Sequence, residues 1–87
     1  MDEHARRVCV PLKNAWADFQ AGSGTLLDLA RLAGQAASAL DNASAPLAVM
    51  LAEAAADLEY AHYADEAEDH LPAGRRILGP VLSRMNE

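Results

Sequence analysis

Residues 44–68 read SAPLAVMLAEAAADLEYAHYADEAE, and Pro46 follows two residues after Ser44 at the beginning of this stretch. Serine as a cap and proline in the first turn are typical of a helix start, so we predict a helix that runs to about Glu68. Its primary apolar face has helical spacing and consists of Leu47, Met50, Leu51, Ala54, Leu58 and Ala61. A second apolar stripe lies roughly opposite and consists of Val49, Ala52, Ala56, Tyr60 and Tyr63. A helix that is apolar on two sides is either central in a bundle or uses its second side for a partner.

Two further helices are predicted before this stretch. Apolar residues at helical spacing indicate a first helix, whose firm start we place near Val10 or Pro11 because proline is best tolerated in a first turn. Gly22-Ser23-Gly24 is a turn that ends it. The second helix opens at Thr25, which forms a capping pair with Asp28, and it ends near residue 40.

A fourth helix is predicted after Pro72, and Pro80 is expected to kink it or end it early. Strand formers are scarce, whereas Ala and Leu, which favour helices, dominate the chain. Trp16 and Phe19 are expected to fill the core of an alanine-rich bundle. The sequence therefore predicts an all-α fold, a small antiparallel bundle of about four helices that forms one domain over residues 1–87.

Composition excludes several classes of protein. The chain has 87 residues, a formal net charge of -6 and a single cysteine, Cys9, so it has no internal disulfide framework. It contains no apolar run long enough to span a membrane, and its first residues lack the features of a secretory signal. We therefore expect a cytoplasmic protein without a membrane anchor, and the excess of acid argues against direct binding of nucleic acid.

The charges are segregated along the chain. Residues 32–74 contain no Lys or Arg but eight acidic residues, most of them on the third predicted helix and its end. An acidic patch with tyrosines inside it is typical of a surface that binds a basic protein partner. The predicted contact residues are Glu53, Asp57, Glu59, Tyr60, Tyr63, Glu66 and Asp69. One alternative for the acidic residues is a solvated helix face, partly neutralised by Arg75 and Arg76. A separate alternative for the tyrosines is burial as core against the first or fourth helix.

A metal site is a further alternative. Glu59 and His62 have the Glu-x-x-His spacing of ferritin-like metal sites, and Glu66 and His70 follow within about two turns. Such a site also needs ligands from facing helices, which offer few carboxylates beyond Asp18 and Asp28, unless a homodimer duplicates the motif. We therefore expect no cofactor and interpret these histidines as surface residues in an acidic stretch.

Motifs for catalysis are missing from the sequence. It contains no Gly-x-Ser-x-Gly elbow, and Gly22-Ser23-Gly24 is too short for a phosphate loop and is not followed by Lys. Cys9 lies between two valines without a nearby cysteine or a clear histidine partner, so we interpret it as a buried or half-buried structural thiol. We therefore expect that the protein is not an enzyme.

The order of segments resembles the small, acidic, all-helical immunity or antitoxin-like proteins that bacteria pair with toxins. The resemblance lies in an aromatic helix, a leucine helix and an acidic Leu-Glu-Tyr helix, at residues 16–22, 25–29 and 57–60. It implies an inhibitor whose acidic surface covers the basic active-site cleft of a nuclease or similar effector. Phage-encoded inhibitors of host defence complexes, such as anti-CRISPR proteins, share this size and charge. A self-associating structural or adaptor protein, paired through the second apolar stripe, remains open as an alternative.

Overall fold

A computed structural model describes residues 3–40 and 44–86 of the chain. Within them the order of elements is α1 (Glu3–Gln20), α2 (Leu26–Ala39), α3 (Ala45–Ala64), a 3-10 turn (Ala67–Asp69) and α4 (His70–Met85). The predicted all-α fold of four helices is confirmed. The break predicted at residues 41–46 lies in part outside the described residues, which resume at Ser44. None of the helices described is long and apolar enough to cross a membrane.

The core is made of leucines from all four helices. The largest fully buried side chains are Leu12, Leu26, Leu29, Leu51, Leu58, Leu78 and Cys9. Consecutive helices are in contact, α2 with α3 most extensively, and the Cα radius of gyration is 12.1 Å. A folded chain of this length has a radius of about 12 Å, so the bundle is compact. Because each fully buried leucine contributes about 1.5–3 kcal/mol, these side chains are the main source of stability.

The primary face of α3 forms the centre of this core, as predicted. Leu51 and Leu58 are fully buried, and the small Ala54 and Ala61 are buried between them along the helix. Small side chains also bring α2 close to α3, since a Cβ atom added to Gly34 would lie 3.9 Å from the Cβ atom of Ala55. One side of α3 is therefore fully used for packing inside the bundle.

Helix α1 begins earlier than the sequence predicts. It begins at Glu3 and continues through Pro11, so the predicted firm start near Val10 or Pro11 is wrong. Proline in a helix interior removes one backbone hydrogen bond and crowds the preceding turn. The carbonyl that loses its donor is that of Arg7, four residues earlier, and Arg7 and Pro11 both lie on the exposed side of α1. On the opposite side Ala5 and Cys9 are fully buried, and this packing outweighs the local cost of the proline.

The helix ends follow the predicted signals only in part. Thr25 caps α2 as predicted: its Oγ1 accepts from the backbone N–H of Asp28 at 3.2 Å, and Asp28 Oδ2 accepts from the N–H of Thr25 at 3.0 Å. Ser44 occupies the cap position of α3, but its side chain makes no capping hydrogen bond. Helix α3 ends at Ala64, four residues before the predicted end, because Asp65 adopts an extended backbone conformation.

Helix α4 contains two prolines and is broken by neither. It begins at His70 with Pro72 in its first turn, and it continues past Pro80 to Met85. The prediction that Pro80 ends this helix early is therefore wrong. A proline crowds the Cβ atom of the residue before it when that residue is helical, and Gly79 has no Cβ atom. The Gly-Pro pair thus removes one of the two clashes that would otherwise disrupt this turn.

Two large aromatic residues of α1 cover the core on the side of α4. Trp16 and Phe19 are half-buried against the core, and their stacked rings have centroids 5.9 Å apart. A Cβ atom added to Gly74 of α4 would lie 2.9 Å from Cζ3 of Trp16 and 3.4 Å from Cε2 of Phe19. Real Cβ atoms do not approach so closely, so the contact between α1 and α4 depends on glycine at this position.

Candidate protein-binding face on helix α3

The second apolar stripe of α3 is not covered by any other part of the described chain. We call it the outer stripe, and it consists of Val49, Ala52, Ala56, Tyr60 and Tyr63. All five residues are exposed, with 57% of Val49, 74% of Tyr60 and 71% of Tyr63 accessible to solvent. The alternative in which the two tyrosines are buried as core is therefore wrong.

The stripe is exposed because of the geometry of α3 in the bundle. At 3.6 residues per turn, the outer stripe lies on the side of the helix opposite Leu51 and Leu58, which are fully buried. Its first and last residues, Val49 and Tyr63, are about 21 Å apart along the helix axis. Large apolar side chains that remain exposed over such a length are typical of interaction surfaces.

Two shallow depressions adjoin the outer stripe, and one of them extends to α2. The first lies between the helices and is lined by Leu27, Asp28, Ala30, Arg31, Ala55, Ala56 and Glu59. The second follows directly along α3 and is lined by Ala56, Glu59, Tyr60, Tyr63 and Ala64. Ala56 and Glu59 belong to both, so the two depressions form one continuous surface with Glu59 at its middle.

Leu27 is a residue of this surface that the sequence prediction missed. Its side chain is 36% exposed and lines the depression between α2 and α3. In the sequence it stands beside Leu26, which is fully buried, and nothing in the spacing of α2 marks it as part of a site. Only the approach of the small Ala55 and Ala56 from α3 makes Leu27 the wall of a groove.

The predicted acidic contacts divide into two groups. Glu53, Asp57 and Glu59 are exposed on α3. At 3.6 residues per turn, Glu53 and Asp57 project from one edge of the outer stripe and Glu59 from the other. Glu66 and Asp69 are also exposed, but both lie beyond the end of α3, next to and in the 3-10 turn. Glu66 is therefore not part of the helix as predicted, whereas Asp69 lies past the helix end as predicted.

Among the described residues these carboxylates form no ion pair, although Arg31 lines the depression between α2 and α3 together with Glu59. The ion pairs seen there are Arg7 Nε to Glu3 Oε1 at 3.3 Å and Arg31 Nη2 to Asp28 Oδ1 at 3.9 Å. Arg75 and Arg76 are exposed and form no ion pair with the acidic residues of α3. Neutralisation by Arg75 and Arg76 is therefore not seen among the described residues, whereas the exposure of these carboxylates is what a solvated face has.

The alternative metal site is only partly brought together. The rings of His62 and His70 are neighbours, with centroids 5.7 Å apart, because the chain turns back between α3 and α4. Nε2 of His70 lies 3.0 Å from the backbone oxygen of Asp65, whereas Nδ1 of His62 is buried without a hydrogen-bond partner. Residues 3–40 and 44–86 contain no group of three His, Cys, Asp or Glu side chains placed to hold a metal ion, and Glu59 and Glu66 do not complete one.

Cys9 is a buried structural thiol, as predicted. It is fully buried within α1, and it is a free cysteine. Burial raises the pKa of the Cys9 thiol, and the positive charge of Lys13 opposes this shift only in part. Since the thiolate is the nucleophilic form, the folded protein holds Cys9 in its unreactive state.

No protein-family model, no curated protein and no solved structure matches this chain. The resemblance to immunity and antitoxin-like proteins therefore depends on the quoted segments alone, and the function has to be argued from the surface of α3.

Proposed function

We propose that this protein is a non-enzymatic inhibitor that binds a basic protein partner through the outer side of α3. The observation that carries the proposal is an exposed apolar stripe with unpaired carboxylates on both of its edges. Tyr60 and Tyr63 are 74% and 71% exposed, and the exposed Glu53, Asp57 and Glu59 lie along the edges of the stripe that contains them. Aromatic anchors within a charged rim are the usual composition of a protein interface.

The two kinds of residue have different roles in this proposal. The tyrosines and Val49 supply apolar area that is lost from water on binding, and they account for most of the affinity. The carboxylates steer a basic partner and exclude acidic ones, so they act mainly on the association rate and on specificity. Because exposed charges are screened within about 10 Å at 0.1 M salt, association should slow as salt is added.

The proposal covers both an immunity protein for a toxin and a phage inhibitor of a host defence complex. In either case one helix face covers a basic surface of the target, such as a cleft that binds nucleic acid. The chain itself then needs no catalytic group, and its acidity mimics the charge of the ligand that it displaces. Glu66 and Asp69, in and next to the 3-10 turn, extend the acidic surface beyond α3.

The experiment is a capture from cells of the source organism with two variants of equal net charge. The test variant carries Glu59→Lys and Glu66→Lys, and the control carries Glu3→Lys and Asp18→Lys, all at exposed positions. Each substitution replaces a negative by a positive charge and raises the net charge by two, so both double variants change the formal net charge from -6 to -2. Captured proteins are identified by mass spectrometry, purified, and titrated with each variant while their own activity is measured.

The proposal predicts that the wild type and the control bind the same basic protein and reduce its activity. The test variant should retain its helical circular dichroism and bind at least about tenfold more weakly, since like charges now meet across the interface. If both variants bound more weakly than the wild type by the same factor, the total charge, rather than the face of α3, would govern recognition. A captured protein whose activity does not change would exclude inhibition.

A further inference from the structure

The outer side of α3 has the spacing of a coiled-coil seam. Val49, Ala52, Ala56, Glu59 and Tyr63 are separated by three, four, three and four residues, which is the a/d pattern of a heptad repeat. All five are exposed. Within the bundle this seam has no facing helix among the described residues, although its period of 3.5 residues is the one that packs helix against helix.

The middle of the seam is shallow. Ala52 and Ala56 are small, so the backbone of a second helix could approach closely between the larger Val49 and Tyr63 at the two ends. The seam is about 21 Å long, which corresponds to about four turns of a partner helix. Leu27 and the depression between α2 and α3 widen the contact surface on one side.

Glu59 gives this seam its specificity. It occupies a core position of the heptad pattern and lines both depressions, and Arg31 of α2 lines one of them. Arg31 pairs with Asp28, and Glu59 forms no ion pair in the described part of the chain. A carboxylate placed there loses water when a second helix docks, so it needs a positive partner on that helix. Glu53 and Asp57, on the other edge of the stripe, also favour positively charged residues on the partner helix.

The same charges disfavour a second copy of this chain as the occupant. In a parallel pair in register, Glu59 of one copy would face Glu59 of the other. In an antiparallel pair centred on Ala56, Glu59 would lie beside Glu53 of the other copy. Either arrangement places carboxylates together in a closing interface, and such repulsion is a common means of excluding a wrong partner.

We propose that the outer side of α3 binds an amphipathic α-helix of the partner, with an Arg or Lys of that helix opposite Glu59. The inference rests on the proposed function and adds the secondary structure and the key charge of the target segment. The apolar residues of the seam supply the contact area, and the carboxylate selects the sequence and register of the partner helix, as polar core residues do in coiled coils.

The test uses two synthetic helical peptides and three forms of the full chain. Both peptides have a leucine seam; the basic one has Arg at one central seam position and Lys at the flanks, and the acidic one has Glu at these positions. The proteins are the wild type, Glu59→Lys, and Asp18→Lys as a control with the same charge change on α1. Affinity is measured by fluorescence anisotropy, and the contact surface by amide chemical shifts.

The wild type and Asp18→Lys should bind the basic peptide and not the acidic one, with shifted amides confined to residues 49–63 and the adjoining face of α2. Glu59→Lys should weaken binding of the basic peptide by at least about tenfold and gain binding of the acidic peptide. A loss of binding without this exchange of preference would overturn the role of Glu59. Shifts outside the seam, or no binding of the basic peptide at about 1 mM, would overturn the helix site.

The outcomes separate this inference from the proposed function. If the captured protein still depends on the acidic residues of α3 while neither peptide binds, the inhibitor proposal stands and the partner is not a helix. If light scattering finds a dimer that dissociates on Val49→Glu, a second copy occupies the seam, and the inference is wrong. Val49 is exposed, so this substitution leaves the core intact.

Discussion

Two neighbouring residues of α3 allow a direct test of which side of this helix is core. Leu58 is fully buried, whereas 74% of Tyr60 is exposed, although the two residues are only two positions apart. Replacing each by alanine removes apolar atoms from the same helix. The structure predicts a large loss of stability for Leu58→Ala and almost none for Tyr60→Ala, because only Leu58 is surrounded by other side chains.

For Leu58→Ala we expect a loss of about 2–5 kcal/mol in the free energy of unfolding, since a buried leucine leaves a cavity in addition to the lost burial. In a domain of this size each kcal/mol shifts Tm by about 4–8 °C, so Tm should fall by at least about 8 °C. For Tyr60→Ala the change should stay within about 0.5 kcal/mol, because surface substitutions are close to neutral and alanine is the better helix former.

The assay is thermal and urea unfolding followed by circular dichroism at 222 nm, a wavelength that reports helix. Both variants should show a single transition with the m-value of the wild type, so that the midpoints measure stability. If Tyr60→Ala lowered Tm as much as Leu58→Ala, Tyr60 would be a core residue and the outer stripe would not be a free surface. If Leu58→Ala had no effect, the primary face of α3 would be wrongly assigned.

Four further predictions concern the rest of the fold. Thr25→Ala should lower the stability by about 1 kcal/mol in urea unfolding, because the capping box of α2 loses its side-chain acceptor. Gly34→Ala should raise Tm, since a Cβ atom there has ordinary contacts at 3.9 Å and alanine favours helix, whereas Gly74→Ala should lower it through the clash with Trp16 at 2.9 Å. Cys9 should resist a thiol reagent until the chain unfolds. Because folding raises the pKa of Cys9, the stability that its neutral thiol contributes should be lost as pH rises past 9.0. Cys9→Ala should remove this dependence of the unfolding free energy on pH. Zinc or manganese at millimolar concentration should leave Tm unchanged, whereas a rise in Tm would show that the folded protein binds the metal.

The helices themselves could be predicted because their signals are local. Thr25 and Asp28 form the predicted capping box, and the apolar face of α3 around Leu51 and Leu58 is buried as its spacing indicates. The errors lie where long-range packing outweighs a local signal. Helix α1 passes through Pro11 because Ala5 and Cys9 are buried on its other side, and this burial cannot be read from the residues next to the proline.

The candidate site could be predicted only as a set of residue types on one helix. Tyr60, Tyr63 and the acidic residues stand out in the sequence, but core and surface were equally compatible with the two tyrosines. Leu27 has no sequence signal at all, since it belongs to the surface only through the approach of α3. The sequence places Glu66 on the predicted third helix and Asp69 just past its end, whereas the extended backbone at Asp65 ends α3 before both.

The sequence alone is enough to establish four helices, the capped start of α2 and an acidic segment without Lys or Arg, because periodicity, capping and charge order are properties of neighbouring residues. It could not establish whether the second apolar side of α3 is also buried, since both sides have helical spacing. The positions of α2 and α4 decide this: they pack on the side of Leu51 and Leu58 and leave Val49, Tyr60 and Tyr63 in solvent. Burial depends on what lies across from a side chain, and for α3 that is determined by residues far away in the chain.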